Sequence, residues 1–255
     1  MRLFQLLQGK NFSHHYQPII KLSNGDIAGL EALFRPHFFH YPEHAFQQAK
    51  KKNKLFELDV CALDKAVRTF RQSRLLPPEK LFIALYPSTM MNPRFVPILL
   101  QIIHHYAIPA KQLILEIVAH ETIDTISELR AAIQQLKKMG FTIALDDMGK
   151  GSDNISRTID LAVDYVKLDI DLSKGLARSV QKQAYVRFLI RYCKRFDVKL
   201  ILKGIENERD LHSACSLGVV YGQGSAIHKP RPIKFWTEEV DPNGGKPQHF
   251  AWNRD

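Results

Sequence analysis

Acidic side chains recur where apolar, strand-length segments end. Glu31 lies near the end of Ile27–Leu33, Glu116 near the end of Leu113–Val118, and Asp146 and Asp147 directly follow Phe141–Leu145. Lys167 and Asp169 close Tyr165–Leu168, Glu206 follows Lys199–Leu202, and Gln223 follows Val219–Tyr221. One acid in such a place is an ordinary surface group or helix cap. Several converging on one mouth are different, because each raises its neighbours' pKa unless a cation neutralises them. Hard divalent cations with oxygen ligands are the usual solution. A pair of such ions can activate a water and stabilise the leaving oxygen of a phosphodiester.

The elements that must position these groups can be read from periodicity. Tyr16–Ile20 and Ile27–Leu33 read as strands joined by the turn Ser23-Asn24-Gly25-Asp26, a hairpin signal. Leu81–Leu85, Leu113–Val118, Phe141–Leu145, Tyr165–Leu168, Lys199–Leu202 and Val219–Tyr221 follow as strands. Between them come helical patterns at Phe46–Lys52, Leu58–Ser73, Phe95–Tyr106, Ile126–Met139, Asn154–Leu161, Val180–Phe196 and Glu208–Leu217. Alternating strands and helices predict a parallel sheet with crossover helices, and seven or eight such units close into a barrel. An open doubly wound sheet is the alternative, but no Gly-x-Gly-x-x-Gly turn follows the first strand. We expect one α/β domain, a modified (β/α)8 barrel over residues 1–240, and a loose tail over 241–255 rich in Pro and Gly.

Composition sets outer limits. The chain has 255 residues, 45% of them hydrophobic and 24% charged, which is ordinary for a globular domain. Cys61, Cys193 and Cys215 are widely spaced, which suits a reducing compartment. The N-terminal residues are too polar for a signal peptide, and no apolar run reaches membrane-spanning length. We therefore expect a cytoplasmic protein with no membrane partner. The net charge of +10 gives a basic surface suited to an anionic partner such as a small phosphate-bearing ligand. Nucleic acid is not expected, since no helix-turn-helix, zinc-finger or aromatic RNA-binding pattern is present. His37, His40 and His44 lie close together but without cysteine, and read as loop residues rather than a zinc site.

The motifs together resemble the EAL domain family, which hydrolyses the bacterial second messenger cyclic di-GMP. Gln17-Pro18-Ile19-Ile20 and Leu30-Glu31-Ala32-Leu33-Phe34-Arg35-Pro36 resemble its opening. Leu115-Glu116-Ile117, Asp146-Asp147-Met148-Gly149-Lys150-Gly151, Val166-Lys167-Leu168-Asp169, Lys203-Gly204-Ile205-Glu206 and Gly222-Gln223-Gly224 with Lys229-Pro230 follow in the family's order. The resemblance implies that Glu31, Glu116, Asp146 and Asp147 are metal ligands for Mg²⁺ or Mn²⁺, and that Lys167 neighbours the metal-bound water. It implies that Gln17, Arg35, Asp147, Asp169, Glu206, Gln223 and Pro230 contact the ligand. It also implies a homodimer through the loop Gly149–Ile155.

Five positions depart from the pattern, two of them Lys150 and Ser152 in the loop, where the family has Thr and Tyr. Lys203 stands where the family carries its proposed general base, a glutamate. A protonated lysine cannot accept a proton from an attacking water, and such a loss costs roughly 10²–10⁴-fold in rate. Ala84 aligns with an asparagine metal ligand, and Ala119 with the glutamate that holds the dimerisation loop. The metal site is therefore expected to be incomplete. The pattern favours a catalytically degenerate EAL domain that binds cyclic di-GMP as a receptor, or a regulatory domain that binds a protein partner. The alternative is a metal-dependent phosphodiesterase that makes linear pGpG. Lys203 is expected to take over from a metal, pairing with Glu31, Glu116 or Asp146 and offering its ammonium to a ligand phosphate.

Overall fold

The computed structural model describes residues 2–73, 80–118, 121, 126–149 and 160–238. Strands β1 (Phe12–Lys21) and β2 (Ile27–Pro36) form the expected antiparallel hairpin, with β1 longer at both ends than the sequence suggested and β2 longer at its C-terminal end. In the turn between them, Asn24 Oδ1 accepts from the Asp26 amide at 3.1 Å and Gly25 takes φ 74°. Next to β2, in parallel order, come β3 (Lys80–Leu85), β4 (Leu113–Ile117), β5 (Thr142–Met148), β6 (Tyr165–Leu168), β7 (Lys199–Leu202) and β8 (Tyr221–Gly222). Strand β8 then pairs antiparallel with β1, so the sheet closes into an eight-stranded barrel with one reversed strand. A two-residue β9 (Arg231–Pro232) adds to the other end of β1.

Helices cover the outside: α1 (Arg2–Leu7), α2 (Pro42–Lys51), α3 (Leu55–Gln72), α4 (Pro87–Met90), α5 (Phe95–His105), α6 (Ile126–Lys138), α7 (Ile170–Ser173), α8 (Val180–Arg195), α9 (Glu208–Leu217) and α10 (Ile233–Glu238). Their apolar faces pack on the barrel in one continuous core, and a smaller cluster ties α1, α2 and α3 to Phe12 and Phe34. Helix α9 shows the local rule. Asn207 accepts from the Asp210 amide at its start, and Gly218 ends it at φ 85°.

Inside the barrel lies a separate apolar layer of Ile19, Phe82, Ile114, Ala144, Tyr165 and Ile201, one from each of six strands. Successive side chains on a strand point to opposite faces, so inward positions recur every second residue. Two steps beyond this layer, toward the C-terminal mouth, stand Ala84, Glu116, Asp146, Lys167 and Lys203; on the reversed β1 the matching residue is Gln17. The polar ring at the mouth therefore follows from the alternation of apolar residues below it. Gly29 belongs to the same system. A Cβ there would come within 2.6 Å of Phe82 Cε2 and 2.8 Å of the Lys80 carbonyl oxygen, so only glycine lets Phe82 fill the barrel floor.

The structure corrects several details. Strand β5 runs on to Met148, so Asp146 and Asp147 are part of the strand rather than its successors. The short α1, α4, α7 and α10 have no period long enough to read from sequence. The expected helix at Asn154–Leu161 lies mostly outside the described residues, as do Ala119, the 241–255 tail and all of the Gly149–Ile155 loop beyond Gly149.

Candidate functional site at the barrel mouth

Two lysines organise the mouth, each holding a pair of carboxylates. Lys167 on β6 is fully buried, with Nζ 2.7 Å from Glu31 Oε1 and 2.8 Å from Glu116 Oε1. Gln223, just after β8, donates Nε2 to Glu31 Oε2. Burial opposes ionisation of Glu31, but the charge and hydrogen bond of Lys167, with the Lys203 charge, together outweigh it and hold the carboxyl below its usual range. Glu116 sits deeper, with no exposure, and burial pushes its carboxyl well above the ordinary value despite Lys167. Burial also disfavours the Lys167 ammonium, yet Glu116 and Glu31 keep it charged.

Lys203 follows β7 and holds the second pair. Its Nζ lies 2.6 Å from Asp146 Oδ1 and also contacts Asp147 Oδ1. Adjacent residues on a regular strand point to opposite faces, so one ammonium cannot ordinarily reach both. Here the pairing of β5 with β6 is irregular between Leu145 and Met148, and Asp147 takes φ 54°. The bulge turns Asp147 back to the side of Asp146, a conformation aspartate tolerates better than most residues. Desolvation disfavours the Lys203 charge, but Asp146 and Asp147 raise its pKa above the ordinary lysine value. The aspartates in turn benefit. Burial alone would raise Asp146, but Lys167 and Lys203 bring it below the usual carboxylate range. Behind Lys203 the chain bends at Gly204, φ 70°, whose carbonyl accepts from the buried Ser173 Oγ at 2.8 Å.

The other sequence-selected residues surround this centre. Gln17 is paired in register with Glu31, and its Nε2 donates to the His228 carbonyl at 2.9 Å. Arg35 is half-buried and donates Nη1 to the Phe34 carbonyl at 3.0 Å. Asp169 is buried and caps α7, accepting from the Asp171 amide at 2.8 Å. Glu206 is exposed and Pro230 half-buried. Ala84 is exposed, in register beside Glu116. The expected partnership of Lys203 is realised with Asp146; Glu31 and Glu116 go instead to Lys167. The contact with Asp147 was not foreseen, because a bulge has no signature in a two-residue acidic run. Outside the centre, His37, His40 and His44 are exposed.

These residues do not fit a pair of divalent cations. Such ions need several oxygen ligands free to turn toward them. Asp146 and Asp147 are engaged by Lys203, Glu31 by Lys167 and Gln223, and Ala84 offers a methyl group. Glu116 alone keeps buried oxygens without an aligned hydrogen-bond donor. Among the described residues no three carboxylate, imidazole or thiol groups stand in metal-holding geometry. The positive charge at this mouth is supplied by the chain's own ammonium groups.

The family model described as EAL domain matches residues 1–230. The chain belongs to the EAL domain family. Among its relatives, cyclic di-GMP phosphodiesterase PdeF of Escherichia coli is 24% identical over 94% of this chain and 33% of that protein. Probable cyclic di-GMP phosphodiesterase PdeB of the same organism is 26% identical over 93% of this chain and 47% of that protein. This EAL domain thus spans a third to a half of the length of those curated relatives. Among solved structures, the PaMucR phosphodiesterase in complex with c-di-GMP superposes with a TM-score of 0.82 at 23% identity, covering 92% of this chain and 97% of that one. The Xanthomonas citri FimX EAL domain in complex with c-diGMP gives a TM-score of 0.80 at 19% identity, covering 91% and 92%. At those identities the likeness establishes the shared barrel.

Proposed function

We propose that this EAL domain is a receptor for cyclic di-GMP rather than a hydrolase of it. The observation that carries the reading is the Lys203 ammonium, placed between Asp146 and Asp147 where hydrolysis needs a proton acceptor and a metal. A lysine whose pKa is raised by two aspartates stays protonated at neutral pH and takes no proton from water. It neutralises the aspartates and leaves an ammonium edge toward the mouth, where it can meet a ligand phosphate. Gln17, Arg35, Asp169, Glu206, Gln223 and Pro230 stand around the same mouth to contact the remaining polar groups of the dinucleotide. Relatives solved with c-di-GMP bound support that ligand. A receptor of this kind reports to a protein partner, and we place it in the cytoplasm, where second messengers act.

The competing reading is a metal-dependent phosphodiesterase, favoured by the gathering of Glu31, Glu116, Asp146, Asp147 and Lys167 at one mouth. One pair of measurements separates them. The protein is incubated with cyclic di-GMP and Mn²⁺ or Mg²⁺, and pGpG is followed by chromatography. Binding is then measured by calorimetry with and without EDTA. The receptor reading expects binding that survives EDTA and little or no pGpG. Robust cation-dependent turnover overturns it.

A further inference from the structure

The N-terminal end of the barrel, opposite the mouth, holds polar groups that the mouth does not use. Lys80 stands two residues before Phe82 on β3, and Lys199 two residues before Ile201 on β7. Alternation therefore turns both lysines inward, beneath the apolar layer. Tyr165, a member of that layer, meets both. Its hydroxyl oxygen accepts from Lys80 Nζ at 2.9 Å and, more loosely, from Lys199 Nζ at 3.5 Å. The two ammonium groups stand 5.2 and 5.1 Å from the Tyr165 ring centroid. Tyr165 is only 5% exposed, whereas Lys80 is half-buried and Lys199 reaches solvent. Lys21, in register beside Tyr221, adds a third exposed cation at the same end. Among the described residues, no carboxylate lies within ion-pair distance of Lys80 or Lys199. Asp197 acts on Lys199 from farther away.

Two ammonium groups that converge on one neutral oxygen repel each other, and that oxygen does not neutralise them. A phenol that accepts twice also keeps an O–H to give. Among the described residues the buried Tyr165 hydroxyl donates to no acceptor. Three donors thus face one spot that lacks a charged acceptor. We infer that this end of the barrel is a phosphate site, filled by inorganic phosphate or by the phosphate of a monoester. Charge selects the class. Such a phosphate carries about −1.5 to −2 near neutral pH, which answers two ammonium groups, whereas a carboxylate carries a single charge. Geometry agrees, since three terminal oxygens can each take one donor from Lys80, Lys199 and Tyr165 in charge-assisted hydrogen bonds. The apolar layer bars the way inward, so the phosphate enters alone and any attached group stays in solvent. The same layer separates this site from the mouth. Cyclic di-GMP is not its ligand, because each of its phosphates is a diester with one charge. The N-terminal face of such a barrel ordinarily serves stability, and a phosphate here acts there too, joining β3, β6 and β7 at one point.

The test is titration of the full chain with inorganic phosphate, glycerol phosphate and acetate at neutral pH and matched ionic strength, read by calorimetry and by the thermal midpoint. Inorganic phosphate is expected to bind saturably and at least tenfold more tightly than acetate. It should also raise the midpoint above that in chloride, because a ligand held only by the folded chain stabilises it. Glycerol phosphate binding as tightly as the free ion supports a monoester site, and weaker binding supports a site for the free ion. Lys80→Met with Lys199→Met should weaken phosphate binding at least tenfold. Tyr165→Phe, which keeps the ring in the core, should weaken it several-fold. Both variants should bind cyclic di-GMP like the parent, so this proposal and the receptor reading fail separately. A control, Lys51→Met with Lys52→Met at the exposed end of α2, removes the same charge elsewhere and should bind phosphate like the parent. The proposal is overturned if phosphate binds no better than acetate or raises the midpoint no more than chloride. It is also overturned if Tyr165→Phe and the lysine pair bind phosphate like the parent, or if the α2 variant loses binding equally.

Discussion

At the scale of single residues, Lys203 decides the chemistry of the mouth. It joins two acids that would otherwise repel one another and any incoming phosphate. Lys203→Ala should leave Asp146 and Asp147 uncompensated and weaken cyclic di-GMP binding at least tenfold in EDTA, as read by calorimetry. Unchanged affinity would show that the ammonium contributes nothing to the ligand. The reverse experiment restores the acids' freedom. Lys203→Glu with Ala84→Asn should give Mn²⁺-dependent pGpG formation above the parent level, followed by chromatography. Asp146 and Asp147 were legible from sequence because they stand where an apolar strand-length segment ends, whereas Lys203 and Ala84 stood out only through the resemblance to the family. The pairing of these side chains was not legible. Which carboxylate meets which lysine depends on strand stagger and on the bulge at Asp147, and neither is encoded in residue type alone.

At the scale of elements, long periodic segments were legible and short ones were not. Helices α3 and α8 bury regular apolar faces, so their period shows. Helix α4 has four residues and owes its place to tertiary partners: Asp59 accepts from the Tyr86 amide at 2.9 Å, and Glu121 from the Ser88 amide and hydroxyl, both at 2.9 Å. No local pattern announces such an element. The hairpin was announced by its turn, but the need for Gly29 appears only when Phe82 is in place. Gly29→Ala should force Phe82 out of its site and lower the unfolding free energy by about 1–3 kcal/mol. A urea midpoint equal to that of the parent would refute the close approach.

At the scale of the whole molecule, two buried groups give stability a pH dependence of opposite sign. Burial pushes the Asp59 carboxyl up to about 7. An unfolded aspartate titrates near 4, so between roughly pH 4 and 7 the folded chain keeps a proton that the unfolded chain releases. Asp59 therefore makes the protein less stable as pH rises through that window. Burial lowers His14 to about 3, against 6.5 for the free side chain. The unfolded chain then takes up a proton that the folded chain refuses, and stability is lost as pH falls from about 6.5 toward 3. Asp59→Asn removes the first effect and keeps an acceptor for the Tyr86 amide. Its urea midpoint should climb more steeply from pH 4 to 7 than the parent's; parallel curves would show that Asp59 does not carry the proton. The barrel's overall plan has one more consequence. Below the charged rim, Ile19, Phe82, Ile114, Ala144, Tyr165 and Ile201 plug the interior. The vestibule is a cul-de-sac: whatever enters must leave by the same doorway, so residence time answers to anything that comes to stand across it.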